Sequence, residues 1–584
     1  MVSIPDCADH WRAWTRGASR VKQVGVIGLL LGIGAWPYVS YLRFWPFTRD
    51  AVQWITRGAL YQRDWYQWVF AKSHFGVGYR PVAALSYTLN YLVAGLNPMI
   101  YRVTDLGLHL LAGLLVFVLF RRLVRDAPAW GAVVAACLFM AHPAVENVVP
   151  FTARRSYTLA TVLSLSALVV LCRPPGQASR SAGDGRTPLW GRSLIAGLLF
   201  LCAFLSNEVA FVTLPIVPLL LIRPAWMHRL RWTRILVLCA GPLVAIIAAI
   251  ALRSWIIGGI GGYGRPAGRG DGFYSILQLA WRNLGAFSSR TDAGQLEGSW
   301  MLTACLAMIG SYYFWQAFFV PIRTKRGARP LLPAILMVWL AGYSLLYALT
   351  GVWFPRQVYP MLVPMSLLVG CVLIGVVQAY RDRRWALAAH LVPQVLLVAI
   401  VLGDSPLIHG SHPWRRRMFE AQHRRQVALL EGLGGVSDPA YVRLVLPYGP
   451  LGGSPNVMRA NPMVLPRRAQ VSGLWVETLL HDRDIRIMNF LFLEQDSLSQ
   501  TDPPTFRWID DRPTVELGPN QLHYIWSSGR FLRRHVDLES TVRLDEPRLP
   551  SNRYCYVWMG AGPDRGLTLL QEPAPPAGRR KSPD

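Results

Sequence analysis

Residues 98–120 read PMIYRVTDLGLHLLAGLLVFVLF. A largely apolar run near 20 residues, rising 1.5 Å per residue, crosses a hydrocarbon core of about 30 Å. Working outward from this stretch, apolar runs of roughly 17–22 residues recur through the first 400 positions and then stop. Spans are placed near 24–41, 98–120, 130–144, 157–172, 193–205, 209–222, 235–256, 300–320, 331–349, 359–380 and 386–402. Those at 130–144, 193–205 and 209–222 are short for a full crossing. Composition agrees: of 584 residues 52% are hydrophobic and only 16% charged, where a soluble chain carries about 25% charged. The expected fold class is an all-α polytopic membrane domain of about eleven transmembrane helices over 1–402. A small extracytoplasmic α+β domain over 403–572 and a disordered tail over 573–584 complete it.

The formal charge of +27 raises nucleic-acid binding, which the distribution of that charge argues against. Only Lys22, Lys72, Lys325 and Lys581 are lysines, and the arginines sit mainly at helix ends, where membrane topology wants them. Segments 1–23, 121–129, 173–192, 223–234, 323–329 and 381–384 carry more than twice the Lys and Arg density of the alternate segments. The N-terminus is therefore expected inside, the site face and the C-terminal domain outside. Six cysteines lie in or beside apolar runs and Cys555 is alone in the C-terminal domain, so no disulfide forms within that domain. Val24–Tyr41 reads as a retained signal anchor. This pattern suits a bacterial cytoplasmic membrane.

Beyond residue 402 the texture changes. His412–Leu433 fits a basic amphipathic helix lying on the membrane. Tyr441–Leu446, Trp475–Leu480 and Leu522–Trp526 are short β-like runs broken by Pro and Gly.

Candidate chemistry gathers at the outer ends of the spans. Asp50 follows the first span closely, where an acidic group meets both an aqueous acceptor and a membrane-embedded donor; it is otherwise an exposed carboxylate or a partner of Arg49. Asp105 and His109, four residues apart, share a helix face, and intramembrane ionisable groups are costly and usually functional. Their alternative is a mutual hydrogen bond that fixes helix packing. His142, Glu146, Arg154 and Arg155 gather at the vertex of the third and fourth spans, Glu208 tips the next hairpin, and Arg356 and Tyr359 open a later span. Arginine forks suit phosphate oxygens, although each alone also fits headgroup contact. His109 has no partner at metal-ligand spacing, so no metal and no cofactor is expected.

These residues resemble the GT-C superfamily of membrane glycosyltransferases, especially its protein O-mannosyltransferase-like branch. The carriers are Asp50, Tyr79-Arg80-Pro81, Leu85-Ser86, Asn90-Tyr91, Asn97-Pro98 with Tyr101 and His109, and His142-Pro143 with Glu146 and Arg154. They continue with Ser206-Asn207-Glu208 before Pro215, Arg253 before Gly258-Gly259, and Arg356 with Tyr359-Pro360. The resemblance implies an external active site and a polyprenyl-phosphate sugar donor, with membrane lipids and an unidentified protein or glycan acceptor as other partners. It implies Asp50 as the catalytic base and Arg80, Arg154, Arg155 and Arg356 around the donor phosphate. Tyr79, Asp105, His109, His142, Glu146, Glu208, Arg253 and Tyr359 would support the site. The chain departs from the family where a second acidic residue, a Lys and an Asn are common; here these are Arg49, Asn207 and Asp105. No tetratricopeptide repeats follow. The competing readings are a lipid-linked saccharide flippase and a non-catalytic scaffold of the same fold.

Overall fold

The computed structural model describes residues 20–42, 54, 79–95, 97–124, 128–172, 189–226, 232–257, 331–349, 355–379 and 420, and nine strands between 440 and 570. The chain divides into two compact units, one holding Asn97–His412 with most of the preceding residues, the other holding Pro413–Asp584, Phe44–Leu60 and Ala94–Leu96.

The first unit is a helical bundle. Its helices are α1 (Arg20–Ala35), α2 (Pro81–Ala94), α3 (Pro98–Leu123), α4 (Ala129–Ala141) and α5 (Arg155–Leu171), then α6 (Leu189–Phe204), α7 (Ile216–Trp226), α8 (Trp232–Ile257), α9 (Leu331–Leu349) and α10 (Val358–Ala379). Local chemistry sets their ends. The Asn97 side chain accepts from the Met99 amide at 3.0 Å, Pro98 follows, and Arg121 and Arg122 occupy the last turn of α3. That order places a cap and a proline at the positive end of the helix dipole and cations at its negative end. Around α3 pack α1, α4 and α5; α5 leads to α6, α6 to α8, and α4 through α10 to α9.

Val24–Tyr41, Met99–Leu123, Ala129–Asn147 and Trp232–Ile257 are long and apolar enough to cross a membrane. Shorter apolar stretches cover Leu189–Phe204, Glu208–Ile222, Leu331–Tyr347 and Val358–Ile374. The chain is an integral membrane protein. Large apolar side chains on outward faces, such as Leu89 and Val93 on α2 and Leu243, Val244 and Ile247 on α8, are exposed, as lipid-facing positions must be.

Two expectations are corrected. The run 209–222 is not one helix: a 3-10 turn over Glu208–Thr213 is followed by α7 from Ile216. Pro215 separates them, because a proline lacks the amide a continuous helix would need there. The segment 81–94, assigned no span, forms α2; its Ser86, Thr88 and Asn90 interrupt the apolar pattern. At 14 residues it is about 21 Å long, short of a crossing. The spans expected at 300–320 and 386–402 lie outside the described residues.

Lipid tails are as apolar as leucine, so bundle helices associate through close packing and hydrogen bonds. The α6–α8 contact shows both. A Cβ on Gly197 would stand 2.7 Å from the Gly241 carbonyl oxygen, so only glycine admits this approach. The Ser193 hydroxyl accepts from the Gly241 amide at 2.9 Å and donates to the Leu238 carbonyl at 3.5 Å. Leu238 needs that donor because Pro242, four residues on, has no amide to offer it.

The strands of the second unit are β1 (Ala440–Tyr448), β2 (Ile485–Glu494), β3 (Thr505–Ile509), β4 (Arg512–Glu516), β5 (Tyr524–Ser527), β6 (Arg530–Arg533), β7 (Thr541–Arg543), β8 (Tyr554–Met559) and β9 (Leu567–Leu570). They form a six-stranded sheet, order β6-β5-β2-β1-β8-β9, and a three-stranded sheet, order β3-β4-β7. In the larger sheet β1 (Ala440–Tyr448) pairs in parallel with both β2 (Ile485–Glu494) and β8 (Tyr554–Met559). Parallel neighbours demand crossover connections; the one from β1 to β2, residues 449–484, lies outside the described residues. The β-like runs at Tyr441–Leu446 and Leu522–Trp526 meet β1 and β5 (Tyr524–Ser527); Trp475–Leu480, and His412–Leu433 apart from the helical Glu420, lie outside.

Candidate functional site

Most of the polar side chains singled out in the helical unit fall at one end of the bundle. Backbone contacts tie that end together: the Val82 amide donates to the Leu205 carbonyl at 3.3 Å, and the 3-10 turn at Pro143–Asn147 packs on that at Pro355–Gln357. Tyr87 donates to the Thr152 carbonyl at 2.5 Å, and Arg102 to the Pro150 carbonyl at 3.0 Å.

The first cluster centres on Glu208. The carboxylate stands at the first position of its 3-10 turn, which Asn207 caps by accepting from the Val209 amide at 3.2 Å. Arg80 donates from Nε at 3.1 Å and Nη2 at 2.9 Å to Oε2. Arg253 donates from Nη2 to Oε1 at 2.9 Å and from Nη1 to the Tyr79 carbonyl at 3.1 Å. The connections close a ring, since Tyr79 and Arg80 are adjacent. Arg253 is fully buried, whereas the Arg80 and Glu208 side chains are 12% and 23% exposed. Burial alone would raise the Glu208 pKa; Arg80 and Arg253 outweigh it and hold the carboxyl at about 2. With all three ionised, two guanidiniums flank one carboxylate, and the Arg80 and Glu208 side chains form the exposed edge.

The second cluster is sealed. Arg155, 1% exposed, donates from Nε to Asp105 Oδ1 at 2.5 Å, from Nη2 to the Tyr101 carbonyl at 3.0 Å, and from Nη1 to the Ser86 carbonyl at 3.2 Å and to Asn90. Its guanidinium also lies 4.4 Å over the Tyr87 ring. Arg155, expected beside a donor phosphate, instead spends its donors joining α2, α3 and α5. Asp105 likewise serves this junction.

His109 takes a different partner from Asp105. Its Nδ1 and the Tyr359 hydroxyl share a hydrogen bond of 3.0 Å, with Tyr38 and Phe139 packed around the ring. No bond joins Asp105 and His109 among the described residues, so their shared face links α3 to two neighbours rather than to itself. His142 Nδ1 accepts from the Ala144 amide at 3.1 Å and thereby caps the Pro143 turn; Glu146 is buried in that turn. Arg154 and Arg356 are half-buried. The Arg154 guanidinium lies 4.1 Å over the Phe151 ring and donates to the Asn147 carbonyl. Asp50 lies outside the described residues, as does Arg49. Among the described residues no group of three His, Cys, Asp or Glu could hold a metal.

Sequence reading missed Arg102, 3% exposed and within electrostatic reach of Asp105. Its signal was present: a cation inside an apolar run, one turn before an acid. It also missed the bond from Asn207 to the Ser156 hydroxyl at 3.0 Å, which no local spacing reveals.

No family model matches the chain. It is similar to the protein O-mannosyl-transferase Tmtc1 of Drosophila melanogaster, 31% identical over 136 residues, or 23% of this chain and 14% of that protein. The human proteins TMTC3 and TMTC2 are 26% identical over 149 residues and 27% over 161, covering 26% and 27% of this chain and 15% and 18% of theirs. The matched stretch spans less than a fifth of these relatives. Two solved structures align with most of the chain. ArnT from Cupriavidus metallidurans, bound to undecaprenyl phosphate, has a TM-score of 0.40 and 12% identity over 84% of this chain and 97% of that one. The oligosaccharyltransferase AglB from Archaeoglobus fulgidus, in complex with an inhibitory peptide and a dolichol-phosphate, has a TM-score of 0.42 and 13% identity over 80% and 65%.

Proposed function

We propose that this chain, O-mannosyltransferase-like over about a quarter of its length, is a membrane glycosyltransferase. It would move a sugar from a polyprenyl-phosphate donor to a protein or glycan acceptor on the non-cytoplasmic side. The observation that carries this reading is the convergence of Arg80, Glu208, Arg253, Arg154 and Arg356, from five chain segments, at one end of an apolar bundle. A lipid phosphate presents its charge at that depth while its tail stays in hydrocarbon. The orientation is supported by α3, which starts at the site end and finishes with Arg121 and Arg122, as the positive-inside rule asks of a cytoplasmic end.

In this mechanism Asp50 removes the acceptor hydroxyl proton as the acceptor oxygen attacks the anomeric carbon. The bond to the phosphate oxygen breaks in the same displacement, with inversion, and polyprenyl phosphate leaves. Arg80, Arg154 and Arg356 compensate the charge that develops on the departing phosphate. Arg155 is set aside because its donors are spent. Tyr79, His109, His142, Glu146 and Tyr359 shape the wall around these groups.

The test is D50N in membranes, assayed for transfer of labelled sugar from polyprenyl phosphate. A general base contributes about 10²–10⁴-fold, so a loss of that order with normal protein level is expected. Full activity in D50N would remove the residue from the reaction. Translocation of lipid-linked sugar with no transfer product would instead identify a flippase.

A further inference from the structure

The ring around Glu208 has a feature that simple charge balance does not require. One carboxylate serves two guanidiniums, and it does so asymmetrically. Arg253 is fully buried and anchored twice, to Glu208 and to the Tyr79 carbonyl. Arg80 is the more exposed cation, and Oε2 of Glu208 receives both its Nε and its Nη2. A guanidinium is a planar fork, so fixing the Nε–Nη2 edge fixes the plane and direction of the whole group. Arg253 thus holds Glu208, and Glu208 aims Arg80.

We infer that Glu208 is a positioning residue that orients the Arg80 guanidinium toward the phosphate of a polyprenyl-phosphate lipid. This inference rests on the donor reading above and assigns Glu208 a task within it. Glu208 does not touch the reacting atoms; it acts through Arg80.

Positioning and plain electrostatics predict opposite signs, which makes the inference testable. Removing the Glu208 charge makes the surroundings of Arg80 more positive by one unit. If Glu208 were only a counterion, E208Q would bind an anionic lipid more tightly. If it aims Arg80, E208Q binds more weakly despite the added charge, because Arg80 must be ordered again on each encounter.

The experiment measures undecaprenyl phosphate and undecaprenol binding to the full chain in nanodiscs, for wild type, E208Q, E208D, R80A and R80A/E208Q. Wild type should prefer the phosphate-bearing lipid. E208Q and E208D should each weaken that preference about tenfold, or about 1.4 kcal/mol; E208D keeps the charge and only withdraws the acceptor, and stands in if E208Q does not fold. The double variant should be no weaker than R80A alone, since residues acting as one unit are not additive. Unchanged or tighter phosphate binding by E208Q and E208D would overturn the positioning role while leaving the donor reading intact. Equal binding of both lipids by wild type would overturn the donor reading and this inference with it.

Discussion

The two ionic clusters at the site end use the same chemistry to opposite effect. Around Asp105 the Arg155 guanidinium is buried and its donors are met by a carboxylate, an amide and two backbone carbonyls. Around Glu208 two guanidiniums share one carboxylate, and the arrangement reaches solvent at one edge. A sealed pair cannot be reached by a ligand, but it fixes three helices. A half-open group fixes less and offers more. The lesson is that adjacent arginines can take different surroundings: Arg155 is sealed between three helices, whereas Arg154 is half-buried over the Phe151 ring.

Breaking the sealed cluster should have the largest effect. R155M leaves Asp105 buried without its partner, and losing one member of a buried pair costs about 3–5 kcal/mol. R155M should therefore fail to accumulate as folded protein, seen as loss of a monodisperse peak in detergent. The sharper contrast is R80A, which should fold and melt within a few degrees of wild type yet lose about 100-fold in transfer, as expected for a group that stabilises developing charge. If R80A unfolds and R155M does not, the comparison is inverted. Smaller still, Y359F removes one hydrogen bond to His109 and should lower stability by about 0.6 kcal/mol, the usual scale for such bonds within membrane bundles. The smallest effect concerns pH. The Glu208 carboxyl is held at about 2, below its unfolded value, so its contribution is complete above the ordinary carboxylate range and is lost only as pH falls towards 2. Lipid-phosphate preference should then show no Glu208-dependent change between pH 5 and 8, measured by comparing wild type with E208Q across that interval.

Much of the bundle was legible because its apolar runs repeat at crossing length, and α3, α4, α5 and α8 lie close to the expected intervals. The segment α2 was not, since Ser86, Thr88 and Asn90 dilute its hydropathy; the fold uses its polar side to receive Arg155. The break before α7 was signalled by Pro215 but hidden by the apolar residues on both sides. For the site, sequence identified Arg80, Glu208 and Arg253 as separate marks. Their union depends on separations of 128 residues between Arg80 and Glu208 and 45 between Glu208 and Arg253, which only tertiary structure supplies. The face shared by Asp105 and His109 was readable from a spacing of four; their true partners, Arg155 and Tyr359, were not.

The Ser193–Gly241 stitch has a mechanical consequence for the distant ring. Leu205 lies twelve residues beyond Ser193 and Arg253 twelve beyond Gly241, so both arms extend about 18 Å from the crossing towards the ring. Tilting one arm by about 10° at that fulcrum would displace its tip by about 3 Å, the length of a hydrogen bond. A methyl group wedged into the pivot would thus be felt as misalignment of guanidinium and carboxylate at the far end of the lever.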